Sequence, residues 1–368
     1  MARSPINGGK MKNREMIAVA TVALFLCVLI GTSGKAGFIG LGSRNKIEPV
    51  EIEEISEQNI RGEWQPVSTP YLYNSGWNLA TDFIFWRADE DGLEYVSTGH
   101  RLHRPHTKWS PGFKLGVGYT FGNQDFWDIF LRWTFFQTHE QGHEHGSLKP
   151  GWSPTMLGPT ATSASSKWRL HYNTLDLELG RDYFISKTLA IRPHVGLRGA
   201  LIRQHYDAHY KGVFADIIPS TVPTRFDAKN NFGGAGVRAG AQLSWHLTRD
   251  WSVIGSLAGS LLWGHFDVDE ELKGIVDGAP SHQDIDQDLS RVAPNLEASL
   301  GFQWETFFSE DHYRVAISLA YEFTEWFSQN QMTRSELIDG NGQSATHFDR
   351  IQGDLGLQGG TLEVRFDF

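Results

Sequence analysis

Charges recur at every second position inside apolar runs of this 368-residue chain. Asp176 and Glu178 alternate with Leu175, Leu177 and Leu179; Arg192, His194 and Arg198 oppose Leu189, Ile191, Val195, Leu197 and Leu201; Arg238 opposes Val237 and Ala239. Side chains on a strand point to opposite faces with period 2. Each run therefore puts ions on one face and hydrocarbon on the other. If such strands close into a ring, the ionic faces share an interior. Lys114, Arg132, Asp176, Glu178, Arg192, Arg198, Arg238, Glu297, Arg314, Glu322, Glu363 and Arg365 are then the pore-lining candidates, with Asp82, Asp128 and Glu305 beside them. Facing charges set the selectivity of an aqueous path. The alternative is that they pair across the interior and fill it, because buried charges need partners. Asp176 and Glu178 are expected beside Arg192 and Arg198, across a short turn at Ser186.

Three other groups hold residue types that do chemistry. His205, Asp207 and His209 lie near a strand end and could supply a general base, but no nucleophile or partner acid stands at a diagnostic spacing. His139, Glu140, His143, Glu144 and His145 could coordinate zinc or copper through closely spaced imidazoles. Their spacing completes no zinc pattern, and an exposed polar loop is the preferred reading. Gly233-Gly234-Ala235-Gly236 leads into a strand rather than a helix, which excludes a phosphate loop. The expectation is a protein with no catalytic residues, no metal and no cofactor.

The elements that would hold these residues are strands. Gly (39 residues) and aromatics (12%) are abundant, which suits a barrel, where Gly marks bends and close strand approach. A mean hydropathy of −0.34 does not exclude a membrane protein, because only alternate barrel residues meet lipid. The formal charge of −10 argues against nucleic acid as a partner.

Lys10, Lys12 and Arg14 precede an apolar run from Met16 to Ile30, followed by Gly31, Ser33, Gly34 and Ala36. This reads as a secretory signal peptide over residues 1–36, too short for a spanning helix. Cys27, the single cysteine, lies inside it, so the exported chain has no thiol. Residues 37–75, with the acidic stretch Glu48 to Glu57, read as a periplasmic lead-in.

About ten alternating segments follow between residues 76 and 368, ending on Leu362, Val364, Phe366 and Phe368 with Glu363, Arg365 and Asp367 between them. Tight links at Phe121 to Asp125, Ile185 to Lys187, Thr248 to Asp250 and Ser309 to Asp311 alternate with long ones at 88–108, 139–166, 207–231, 268–289 and 329–348. Outer-membrane barrels sort their connections this way, short in the periplasm and long outside. Every backbone polar group in hydrocarbon must be paired, so only helices or closed barrels span. The expectation is an all-β, antiparallel transmembrane barrel of about ten strands, or twelve if stretches such as Leu93 to Ser97 join it. Trp77, Trp168, Trp263 and Trp326 are expected in its interfacial girdles.

Five stretches carry a family resemblance. They are Phe85 to Tyr95, Trp109 to Phe113, Tyr172 to Arg181, Ile191 to Ala200 and Tyr321 to Trp326. In this order they resemble the pore-forming outer-membrane protein family described from Legionella, and major-outer-membrane-protein-like proteins of chlamydia-related bacteria look similar. The resemblance implies a porin-like barrel in the bacterial outer membrane, with outer-membrane lipid around it. It also implies recognition of the last strand, ending at Phe368, by the barrel-assembly machinery. It supplies no catalytic motif. The expected function is diffusion of small hydrophilic solutes or ions, with oligomers allowed. Barrels of about eight strands are filled by side chains while 16–18 leave an open channel. Two alternatives therefore stand: a plugged barrel acting as an adhesin or structural envelope protein, and an outer-membrane protease-like enzyme.

Overall fold

Strands 12 to 30 residues long dominate the structure, a computed structural model that describes residues 76–121, 127–152, 160–186, 188–215, 218–220, 223–276, 279–308, 313–340 and 343–368. The expected signal peptide (1–36) and lead-in (37–75) lie outside the described residues, as do most of the tight links after Phe121 and Phe308.

Ten strands form one ring: β1 (Gly76–Glu90), β2 (Trp109–Thr120), β3 (Trp127–Pro150), β4 (Ala161–Arg181), β5 (Leu189–Lys211), β6 (Thr224–His246), β7 (Trp251–Val276), β8 (Ala279–Phe308), β9 (Tyr313–Asn330) and β10 (Gly353–Asp367). Each pairs antiparallel with the next. β10 pairs with β1, opposing Phe83 to Leu362 and Asp82 to Glu363. That last pairing removes the free edges, which hydrocarbon would not tolerate. The ring has ten strands, as the alternation predicts. Among the described residues no helix is long and apolar enough to cross a membrane.

Outward positions at the tight-turn end form an apolar belt: Trp77, Leu79, Phe83 and Phe85 on β1; Leu257, Leu261 and Trp263 on β7; Leu300 and Phe302 on β8. Leu300 is 67% and Trp263 64% exposed, which suits lipid and not water. From Trp77 to Phe85 a tilted strand rises about 20 Å, close to the ~25 Å apolar band of such barrels.

Beyond the belt the chemistry of the two faces exchanges. On β4 the outward residues pass from Leu179, Leu177 and Leu175 to His171, Arg169 and Lys167, while the inward ones pass from Glu178 and Asp176 to Tyr172, Leu170 and Trp168. β5 does the same, from Arg192 and Arg198 to Ile202, Tyr206 and Tyr210 inside. Hydrocarbon lines the outside of one half of the cylinder and the inside of the other.

This exchange corrects two expectations. Much of 139–166, 207–231 and 268–289 is strand rather than loop: β3 runs to Pro150, β5 to Lys211 and β7 to Val276. Their outer halves alternate in the inverted sense, which a search for outward hydrocarbon reads as irregular. Trp168 and Trp326 are fully buried inside the barrel rather than standing in a girdle. Nor do extra strands widen the ring. Val96–Thr98 pairs with Arg101–His103 and with Lys149 and Pro150, and Thr333–Gly340 pairs with Gln343–Arg350; neither hairpin is a member of the ring.

Candidate functional site: a charged cavity under an apolar roof

The ionic faces converge on a cavity of about 200 Å³ in the belt half of the barrel. All twelve candidate residues line it, and opposite charges meet throughout. Lys114 Nζ on β2 lies 2.5 Å from Glu322 Oε2 on β9. Arg132 on β3 donates to Glu363 on β10 at 2.9 Å and lies 3.8 Å from Asp82. Arg198 on β5 holds Asp176 through two N–H groups (2.5 and 2.7 Å), and also Asn295 (2.6 Å) and Glu297 on β8. Arg238 on β6 joins Glu178 at 3.0 Å and Glu297. Arg192 donates to Asp128 at 2.8 Å, with Glu178 at 3.6 Å. Arg314 lies 3.1 Å from Glu305 and 3.2 Å from Asp367, which also accepts from Arg365 at 2.8 Å.

Local sequence explains much of this. Asp176 and Arg198 are direct cross-strand partners, placed by the short turn between β4 and β5. Gly180 leaves room where the Arg192 guanidinium lies: a Cβ there would come within 2.5 Å of it. The longer links, β2 to β9, β3 to β10 and β5 to β8, reach across three ladder steps and come from ring closure. Removing one partner of a buried pair typically costs about 3–5 kcal/mol, because the other charge stays buried. Asn295 and Asp367 belong to this network and were not among the candidates; the odd-numbered alternation of β8 and β10 would have included both.

Trp86 and Tyr172 roof the cavity and begin an apolar core that fills the inside of the other half. Trp326 donates to the Tyr172 hydroxyl (3.3 Å), Phe232 packs on Phe266 at 4.6 Å, and Trp86 packs on Phe136 at 5.7 Å. A segment from the first long connection enters this core. Leu93, Tyr95 and Val96 are buried. Tyr206 donates its hydroxyl to the Leu93 carbonyl (3.1 Å), and Tyr210 to that of Tyr95 (2.6 Å). Gly92 turns the chain inward at φ 89°, a region disfavoured for residues with a Cβ. Trp152 stacks on Phe226 at 4.2 Å, and the Arg334 guanidinium lies 4.9 Å from the Trp152 ring while donating to the Gly92 carbonyl.

Among the described residues, Glu90, Glu140 and Glu270 are buried carboxylates on the inner face of this outer half. Gln204 donates to Glu90 (3.0 Å), the Lys108 amide to Glu140 (3.3 Å) and the Thr333 amide to Glu270 (2.5 Å). Burial raises all three: Glu90 well above the usual range, Glu140 to about 8 and Glu270 to about 7, opposed by those hydrogen bonds.

The hydrolytic candidates lie elsewhere, on the outer wall beyond the belt. His205 Nε2 is 3.1 Å from Asp207 and 3.3 Å from Asp227. The two carboxylates beside it push its pKa up to about 9. Arg225 reaches both carboxylates at 3.0 Å. This trio, and the outer groups Glu271–His282–Asp284 and Asp267–Asp269–Asp286, are the arrangements among the described residues close enough to share a metal ion. The sequence cluster is not one of them: His139, His143 and His145 point outward, Glu140 and Glu144 inward, and Glu144 pairs with His103 at 2.9 Å.

The family described as Legionella pneumophila major outer membrane protein precursor matches residues 70–368. No curated protein sequence matches the chain. Similar solved structures include the outer membrane protease OmpT from Escherichia coli (10% identity, 80% of this chain and 96% of that one, TM-score 0.35). Another is a major outer membrane protein from Thermus thermophilus (13%, 61% and 98%, TM-score 0.28). A third is the attachment invasion locus protein Ail of Yersinia pestis (12%, 80% and 99%, TM-score 0.23). The ring of strands and the match over the whole of it agree: this chain is a bacterial outer-membrane β-barrel and belongs to the Legionella major outer membrane protein family.

Proposed function

We propose that this protein is a porin-like channel for small hydrophilic solutes or ions, held closed by its own outer half. The observation that carries this reading is the cavity lined by both signs of charge, with the segment Asp91 to Val96 as a removable obstruction above it. Facing cations and anions make a path that water and ions can wet. The inner segment is fastened by hydroxyl–carbonyl hydrogen bonds, each worth about 1 kcal/mol net. A few such contacts can be broken and remade, unlike a covalent plug. Passage then needs withdrawal of this segment and local exchange of ion pairs. The reading assigns no reaction, cofactor or metal to the protein. It leaves insertion to the barrel-assembly machinery acting on β10, which carries Phe366.

A second reading draws on the extent of the apolar core. A ring of ten strands lies near the size that side chains fill, and from Trp86 outward they do fill it. A permanently plugged barrel would serve as an adhesin or structural envelope protein through its outer surface.

Planar-bilayer recording of the refolded barrel separates the two. Stepwise conductance that grows when the Asp91 to Val96 segment is loosened supports the channel. Silence from correctly folded, heat-modifiable protein in both forms supports the plug.

A further inference from the structure

Beyond the lipid belt the outer wall carries its charge unevenly. On β4, β5 and β6 the outward positions rise in cross-strand rows. The row at Asn173, Leu201 and Gly233 ends the apolar region. Above it come His171, Arg203 and Asn231, then Arg169, His205 and Lys229, then Lys167, Asp207 and Asp227. The first two of these rows hold three permanent cations and two imidazoles, with no carboxylate among these described outward positions. His205 adds charge, since Asp207 and Asp227 keep it protonated at neutral pH. On β7 and β8 the same heights carry Asp267, Asp269 and Glu271 opposite Asp288, Asp286 and Asp284. The basic rows of β4–β6 thus border an acidic surface on β7 and β8.

The carboxylates that balance Arg169 and Lys229 engage them loosely. Arg169 reaches Asp207 at 3.4 Å and Lys229 reaches Asp269 at 4.0 Å, and their side chains remain 52% and 51% exposed. Rows two residues apart are separated by about 7 Å along a strand, so the first two sit within the headgroup layer directly above the belt. There, phosphates attract Lys and Arg; guanidinium groups bind them bidentately; and long basic side chains rest their stems on hydrocarbon. Leu175, Leu177, Leu197 and Val237 directly below offer an apolar wall to the acyl chains of the same lipid.

We propose that the β4–β6 face, through Arg169 and Lys229, binds phosphate-bearing anionic lipid of the outer leaflet. This rests on the barrel's place in the outer membrane and is independent of whether the lumen conducts.

The test uses the whole barrel in neutral detergent, titrated with a diphosphorylated glucosamine-based glycolipid, with its dephosphorylated form and with inorganic phosphate, and followed by native mass spectrometry. Phosphorylated lipid is expected to bind, more weakly as salt rises. R169Q/K229Q is expected to lose roughly 25-fold in affinity, from about 1 kcal/mol per cation. D284N/D286N, on the acidic face, should bind at least as well as the parent. Heat-modifiable mobility confirms that each variant folds. A measurement needing no variant is acylation of lysines: phosphorylated lipid should protect Lys167 and Lys229 and leave Lys273 reactive. Equal binding of the dephosphorylated lipid, competition by inorganic phosphate at lipid concentrations, full affinity in folded R169Q/K229Q, or equal labelling of the three lysines would each overturn the proposal.

Discussion

The hydroxyl of Tyr210 on β5 donates to the backbone carbonyl of Tyr95 at 2.6 Å, from a strand of the wall to a segment inside the lumen. Tyr206, four residues earlier and on the same inward face, does the same to Leu93 at 3.1 Å. The alternation of one strand thus supplies two anchors for the segment that closes the barrel.

Removing both anchors should loosen the closure without disturbing the ring. Y206F/Y210F keeps the rings and loses two hydrogen bonds worth together about 2 kcal/mol. The open population in planar bilayers should rise by tenfold or more, with thermal unfolding little changed. An unaltered current would show that the Asp91 to Val96 segment does not govern conduction.

The network around Glu297 should decide ion preference. Arg198→Gln leaves Asp176 and Glu297 with one cation fewer, so a conducting barrel should shift toward cations, read as a change in reversal potential under a salt gradient. The same substitution should lower stability by about 3 kcal/mol or more. Arg192→Gln should act in the same direction and less strongly on folding, because Arg192 is less deeply buried than Arg198 and its second carboxylate, Glu178, lies 3.6 Å away. Unchanged selectivity in both would remove these residues from the path.

Trp168 and Trp263 should report opposite environments. Brominated lipid should quench Trp263, which is 64% exposed on the belt, and leave Trp168, which is fully buried and donates to Gln204 at 3.0 Å. Trp263→Phe should therefore reduce the quenchable fluorescence, and Trp168→Phe should not. The reverse result would place the upper core outside the barrel.

Acidity should tighten the closure. Burial holds Glu270 at about 7 and Glu140 at about 8, both above their unfolded values. A group raised in the folded state contributes stability that is complete below its unfolded pKa and lost as pH rises through the folded one. The packing that buries Glu270 and Glu140 should accordingly be firmest below about pH 4.5, where both are neutral, and weaken between about pH 5 and 8, as the buried groups ionise. Proteolysis or hydrogen exchange of residues 104–108 and 330–334 should quicken over that window. Glu270→Gln, which stays neutral, should flatten the response at 330–334; an unchanged pH profile in that variant would exclude Glu270 as its source.

The ring was legible in the chain before its closure was. Alternation from Leu175 to Leu179 or from Leu362 to Phe368 states which face meets lipid, because period 2 follows from backbone geometry alone. It also put Lys114, Arg132, Arg198 and Glu297 on the inner wall, and the short turn at Ser186 put Asp176 beside Arg198. The outer halves were illegible on the same rule. Trp168 and Trp326 read as girdle residues because an aromatic near a strand end looks alike whether it faces lipid or the interior.

By itself, then, the sequence determined an even set of alternating strands with hydrocarbon on one face and ions on the other, since those properties reside in neighbouring residues. Only the tertiary structure decided that Arg198 meets Glu297, that Arg132 meets Glu363, and that Leu93 and Tyr95 turn inward to close the lumen. Those contacts join residues far apart in the chain, and their geometry exists only once β10 has paired with β1.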